Sequence, residues 1–139
     1  MQSTPLALGI SGLLLFAVGL ILGFAIPAFR NARMALSAHL TAVQTGTALI
    51  AIALFWRYCA VPAAWDAPIA VTLGASSYLL VAGIALAGAS GASNALPMAG
   101  KGFHASALQE RLVGVLVGAS SVAMLASLLA LCWFALGRG

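Results

Sequence analysis

Acidic side chains are nearly missing from this sequence: among 139 residues only Asp66 and Glu110 carry a side-chain carboxylate. Neither falls inside a long apolar run, which argues against proton-coupled transport through a relay of buried Asp or Glu. Basic charge is thin as well. Six Lys and Arg give a net charge of +4, and Arg30, Arg33, Arg57, Lys101, Arg111 and Arg138 are scattered over several loops. Nucleic-acid binding needs a concentrated basic surface and is not expected. Cys59 and Cys132 are the only cysteines and show no C-x-x-C or His-Cys pattern, so a disulfide or metal site built from them is not expected. No nucleophile, base and acid form a triad. A cleaved signal peptide is not expected either, since Met1 to Pro5 lacks a basic n-region and the apolar run that follows is too long for an h-region.

What remains is chiefly Ala, Leu, Val and Gly. Hydrophobic residues make up 63% and charged residues 6% of the chain, against about a quarter charged in soluble domains, and the mean hydropathy is +1.13. The composition is that of an all-α integral membrane protein in contact with the lipid bilayer. A helix of about 20 apolar residues crosses the roughly 30 Å hydrocarbon core. The length therefore accommodates one four-helix transmembrane bundle, with spans at about residues 6–26, 36–55, 69–89 and 112–136.

Pro27 ends the first span, and Trp56, Arg57 and Tyr58 form an interfacial anchor after the second. Loop 2 is expected to hold Pro62, Trp65, Asp66 and Pro68, and the polar run Ser76, Ser77, Tyr78 to interrupt the third span. Loop 3, from Ser90 to about Arg111, is the longest and includes Gln109 and Glu110; Trp133 and Arg138 lie near the interface at the end of the fourth span. Gly19-x-x-x-Gly23 and Gly114-x-x-x-Gly118 offer flat faces for close helix contact, expected to join protomers of a homo-oligomer. Loops 1 and 3 carry Arg30, Arg33, Lys101 and Arg111 against Arg57 and Arg138 on the opposite side, so the positive-inside rule places both termini outside the cytoplasm. Pro27 to Gly46 and Pro97 to Gly114 both lead from a proline through a basic loop into a span, and read as candidate copies of one unit.

The stretch from Pro27 to Gly46 gathers Arg30, Arg33, His39 and Gln44. An ionisable residue within a span is by default a functional candidate. His39 falls about one turn into span two, with Gln44 and Thr45 roughly 8 to 9 Å deeper at 1.5 Å per residue. Ser77 and Tyr78 in span three reach a similar depth, so a buried cavity below the histidine is expected. Plainer readings stand beside these. A lone histidine near a helix start is more often an interfacial hydrogen-bonding residue than a ligand, and Ser and Thr in membrane helices commonly bond back to their own backbone. Tyr78 also reads as a packing residue, Arg30 and Arg33 as topology determinants, and His104 as a loop residue.

The segment G-F-A-I-P-A-F-R-N-A-R-M-A-L-S-A-H-L at Gly23 to Leu40 resembles the corresponding stretch of the hydroxylaminobenzene mutases, small four-span membrane proteins. P-M-A-G-K-G-F-H-A-S-A-L-Q-E at Pro97 to Glu110 is similar to them more weakly, and the mutases are in turn distantly similar to styrene oxide isomerases. The resemblance implies a homotrimer in the bacterial inner membrane, with heme b between neighbouring subunits and its iron ligated by the histidine of span two, here His39. Arg30 and Arg33 would then pair with heme propionates, since a guanidinium binds a carboxylate bidentately. Gln44, Thr45, Ser77 and Tyr78 would contact a small aromatic substrate, with His39, Thr45 and Tyr78 as the catalytic set. The implied chemistry is rearrangement of an aryl hydroxylamine to an aminophenol, or of an aryl epoxide to an aldehyde, with ferric iron as the Lewis acid and no external redox partner.

The chain departs from the family pattern at three places: Thr45-Gly46 stands where Asn-Gly is usual, Ser77 where span three usually has Asn, and Ser11-Gly12 where an early His-Gly is usual. Two other readings remain open. A glutathione-using trimer like the MAPEG proteins would hold an anionic thiol with the loop arginines, and a non-catalytic accessory subunit would leave His39 incidental.

Overall fold

Residues 3–137 are described by a computed structural model. Arg138, an expected interfacial anchor and one of the two cations counted on its side of the membrane, lies outside them, as do Met1 and Gln2. The described residues form helices and no strand: α1 Ser3–Ala25, a 3-10 turn Ile26–Ala28, α2 Ala32–Phe55, a second turn Trp56–Tyr58, α3 Ala63–Ser90, the short α4 Pro97–Gly100, and α5 Ala107–Leu136. The four long helices have the length and apolarity to cross a membrane.

Each helix boundary has a local cause. Asn31 caps α2, its side chain accepting from the Met34 N–H, so the helix starts before the apolar run does. Ser106 and Gln109 form a reciprocal capping box at the start of α5, which brings Gln109 and Glu110 into the helix and out of loop 3, where hydropathy had placed them. Trp65, Asp66 and Pro68 are likewise helical rather than loop residues, because α3 begins directly after Pro62. Pro68 is the sixth residue of α3 and so lies inside the helix, and Asp66 adds favourable negative charge to the first turn. Asp66 also accepts a 2.6 Å bond from the indole N–H of buried Trp56, tying α2 to α3. The run Ser76, Ser77, Tyr78 does not break α3: both serine hydroxyls donate to the Leu73 carbonyl. The helix ends at Gly91, whose φ of 82° is left-handed and whose N–H bonds to Ala87.

Helices pair mainly in chain order, α1 with α2, α2 with α3, and α3 with α5, with a smaller α1–α3 contact. The α1–α2 hairpin is closed by glycine against backbone. A Cβ on Gly12 would lie 2.7 Å from the Gly46 carbonyl oxygen, and one on Gly46 would lie 2.7 Å from the Phe16 nitrogen. Gly19 meets Val43 and Gly23 meets His39, so this Gly-x-x-x-Gly face is used inside the chain and not between protomers. Gly114 and Gly118 on α5 have no atom within 4 Å of an added Cβ. Two apolar clusters fill the interior, one including Leu8, Leu15, Leu49 and Leu73, the other including Met34, Ile84 and Val113 towards loops 1 and 3.

Candidate functional site

The membrane face that carries loops 1 and 3 is organised by Asn31, which is fully buried. Its backbone N–H donates to Gly88, and its side-chain amide donates to the Ala99 carbonyl at 2.9 Å. One residue thus holds the start of α2 to the end of α3 and to α4. Arg30 donates to the Ser90 carbonyl at 2.7 Å, placing a cation at the negative end of the α3 dipole. Arg33 donates to the Lys101 carbonyl at 2.6 Å. A guanidinium has five N–H donors, so each arginine retains donors after this structural bond, and both side chains are exposed. Glu110 accepts from the backbone N–H groups of Ser93 and Asn94 at 2.9 to 3.0 Å and pins the start of loop 3 to α5. His104 is exposed in that loop.

His39 stands half-buried on α2, against the space left by Gly23, where an added Cβ would come within 2.9 Å of Nδ1. Nδ1 lies 2.7 Å from the Gly19 carbonyl oxygen. A carbonyl can only accept, so in the neutral imidazole Nδ1 carries the proton and Nε2 keeps its lone pair. A metal-ligating histidine has this arrangement, with one ring nitrogen fixed by a backbone carbonyl and the other available as the ligand. The donor chemistry at His39 therefore fits an imidazole-bound heme iron.

The other expected site residues are dispersed. Thr45 is half-buried and its hydroxyl donates to Thr41 of its own helix at 2.6 Å. Ser77 is buried and bonded to Leu73. Gln44 is exposed, its amide bonded to no described residue. The Tyr78 hydroxyl donates across to the Ser11 carbonyl on α1 at 2.9 Å, and its side chain lines a cavity of about 510 Å³ between α1 and α3. His39, Gln44, Thr45 and Ser77 are not among the residues lining that cavity. Ser11 and Gly19, the levels at which Tyr78 and His39 meet α1, are eight residues and so about 12 Å apart along the helix. One chain therefore holds the histidine and the tyrosine cavity at different depths.

Sequence reasoning missed Asn31, Glu110 and Ser11 as organising residues. Asn31 carried a signal, a capping residue directly before a helical segment. The Glu110 clamp and the Tyr78–Ser11 bond have backbone partners far along the chain, and no local pattern marks them.

With this geometry in hand, the chain was compared with known proteins. The sequence profile of the family described as Styrene oxide isomerase matches residues 6–136. Hydroxylaminobenzene mutase HabA of Ectopseudomonas oleovorans is 36% identical over 118 residues, covering 84% of this chain and 87% of the relative. Hydroxylaminobenzene mutase HabB of the same organism is 32% identical over 119 residues, 82% of this chain and 70% of the relative. No solved structure gives a significant match.

Proposed function

Since the chain belongs to the styrene oxide isomerase family and is homologous to the hydroxylaminobenzene mutases, we infer that it is a membrane isomerase that rearranges a small aromatic compound, and we propose that it does so with heme b held by His39. The favoured substrate is an aryl hydroxylamine converted to an aminophenol; an aryl epoxide converted to an aldehyde is the related alternative. In the first case the N–O bond breaks, a ring C–O bond forms and a ring proton passes to nitrogen, so no oxidant or reductant is consumed. Bound ferric heme supplies Lewis acidity towards the substrate oxygen.

The observation that carries this reading is the bond between His39 Nδ1 and the Gly19 carbonyl. It fixes both the tautomer and the ring orientation before any ligand arrives, and it involves two helices, so the ring is held against rotation. Arg30 and Arg33 retain exposed donors on the membrane face nearest His39, and in this reading they would pair with the heme propionates. Gln44, about 7.5 Å deeper on α2, presents an unused amide outward, and Thr45 keeps lone pairs while donating to its own helix. We also propose that the protein is a homotrimer in the bacterial inner membrane, with heme b held between neighbouring subunits.

The test is to produce the parent and His39→Ala in heme-supplemented cells, purify both in detergent, and record absorption spectra and turnover of phenylhydroxylamine without added reductant. The parent should show a Soret band and form aminophenol; His39→Ala should lose both while keeping its helical circular dichroism. A parent-like heme spectrum in the variant, or none in the parent, sinks the ligand assignment.

A further inference from the structure

Loop 3 and the start of α5 carry cations that the seating of His39 does not use: Lys101 and Arg111, both exposed, with His104 exposed between them in the chain. Two hollows lie against these residues. Arg111, His104, Asn94 and Glu110 line the larger, of about 530 Å³, and Lys101, Phe103, Asn94 and His104 are among those lining the smaller, of about 290 Å³. Because they share Asn94 and His104, the two hollows form one groove with Lys101 in one half and Arg111 in the other.

The groove offers donors. The side chains of Asn94, Lys101, His104 and Arg111 make no hydrogen bond to any described residue, and Lys and Arg can only donate. Glu110 is the one carboxylate among the described lining residues, and both its oxygens already accept from the backbone N–H groups of Ser93 and Asn94. An anion entering the groove meets unspent donors, whereas a cation finds its countercharge engaged.

Depth and flank indicate where such an anion comes from. Helix α5 has 30 residues, about 45 Å at 1.5 Å per residue, which matches a bilayer of about 40 to 45 Å with its headgroups included. Arg111, the fifth residue of α5, lies about 6 Å from its start and so at headgroup level. Beside it Leu108, Val115 and Val122 follow one another every two turns and are 76%, 60% and 69% exposed, an apolar row leading from the groove towards the hydrocarbon. We propose that the groove binds an anionic phospholipid, its phosphate held by His104 and Arg111, its headgroup reaching Lys101, and an acyl chain following that row down α5. A soluble phosphate would use the donors but not the row, and a phosphoethanolamine headgroup would bring an ammonium to a carboxylate already taken. The groove is separate from His39, so the inference goes beyond the heme reading and is tested without it.

The test titrates the full chain in detergent with phosphatidylglycerol and with phosphatidylcholine of the same acyl chains, and reads bound lipid by native mass spectrometry. The parent should bind phosphatidylglycerol about five-fold or more tightly than phosphatidylcholine, and Arg111→Gln and Lys101→Gln should each weaken phosphatidylglycerol binding about five-fold. Arg57→Gln, beyond the other end of α2, should leave it unchanged. Equal affinity of the parent for the two lipids would overturn the proposal, as would parent-like binding in Arg111→Gln or Lys101→Gln, or an equal loss in Arg57→Gln. Displacement of the lipid by millimolar inorganic phosphate would reject the lipid in favour of a soluble anion. Should Arg111→Gln fail to fold by circular dichroism, Lys101→Gln decides: a parent-like affinity in that variant rejects the site.

Discussion

A methyl group at position 23 would lie 2.9 Å from His39 Nδ1 and 3.1 Å from its Cε1. Gly23→Ala should therefore push the imidazole off the Gly19 carbonyl, weaken the proposed heme binding, and destabilise the hairpin by about 1 to 3 kcal/mol through overpacking. Gly114→Ala, with nothing within 4 Å, should be neutral or stabilising by up to about 1 kcal/mol, because Ala favours a helix over Gly. Soret absorbance and thermal unfolding of the two variants check this, and equal behaviour would show that the ring is not held by the glycine gap. Ala60 has a φ of 46°, a left-handed conformation costing a non-glycine residue roughly 1 to 2 kcal/mol. After the entropy that glycine adds to the unfolded chain, Ala60→Gly should still raise the melting temperature slightly. The sequence exposed His39 as a candidate because a titratable ring stands out in an apolar span. It could not expose Gly19 as its partner, since a backbone carbonyl acceptor has no residue-type signature, and the same holds for Tyr78 and the Ser11 carbonyl.

The helices were legible as elements, their ends less so. Hydropathy finds where apolar residues begin, whereas a helix begins where its first N–H groups find acceptors. In α5 the capping box of Ser106 and Gln109 precedes the apolar run, and in α3 the segment containing Pro68 looked like a loop although the helix runs through that proline, whose missing N–H removes one backbone bond. Asn31 shows what a cap adds when it is buried. Asn31→Ala should remove the α2 cap, at about 1 kcal/mol, and leave the Ala99 carbonyl without its donor, at about 1 to 3 kcal/mol more. Asn31→Ser should restore the cap but not the donor, and so fall between parent and Asn31→Ala in thermal unfolding. Protease cleavage in the loop of residues 91–106 should follow the same order. If Asn31→Ser melted with the parent, the tether to Ala99 would carry no stability.

At the scale of the whole molecule, the outward faces differ from one another. Gln44 lies twelve residues into α2, about 18 Å from its start, and so near the middle of the bilayer with an unbonded, exposed amide. Leaving that amide in lipid costs several kcal/mol, and in the proposed homotrimer a neighbouring protomer covers it. Gln44→Leu should then lower the oligomer fraction seen by native mass spectrometry with helix content unchanged, while a parent-sized particle would remove Gln44 from the protomer contact. Apolar composition made the four-helix membrane architecture legible, but which glycine face meets which helix was not, because Gly19-x-x-x-Gly23 and Gly114-x-x-x-Gly118 are alike as patterns and differ only in what lies opposite. The order of helix pairing, each long helix packing mainly on its neighbours in the chain, has a consequence for biosynthesis. A ribosome that has delivered Phe55 has already supplied both sides of the Gly12–Gly46 contact and of the His39–Gly19 bond, so the hairpin that sets the histidine tautomer can close while the second half of the protein is still being translated.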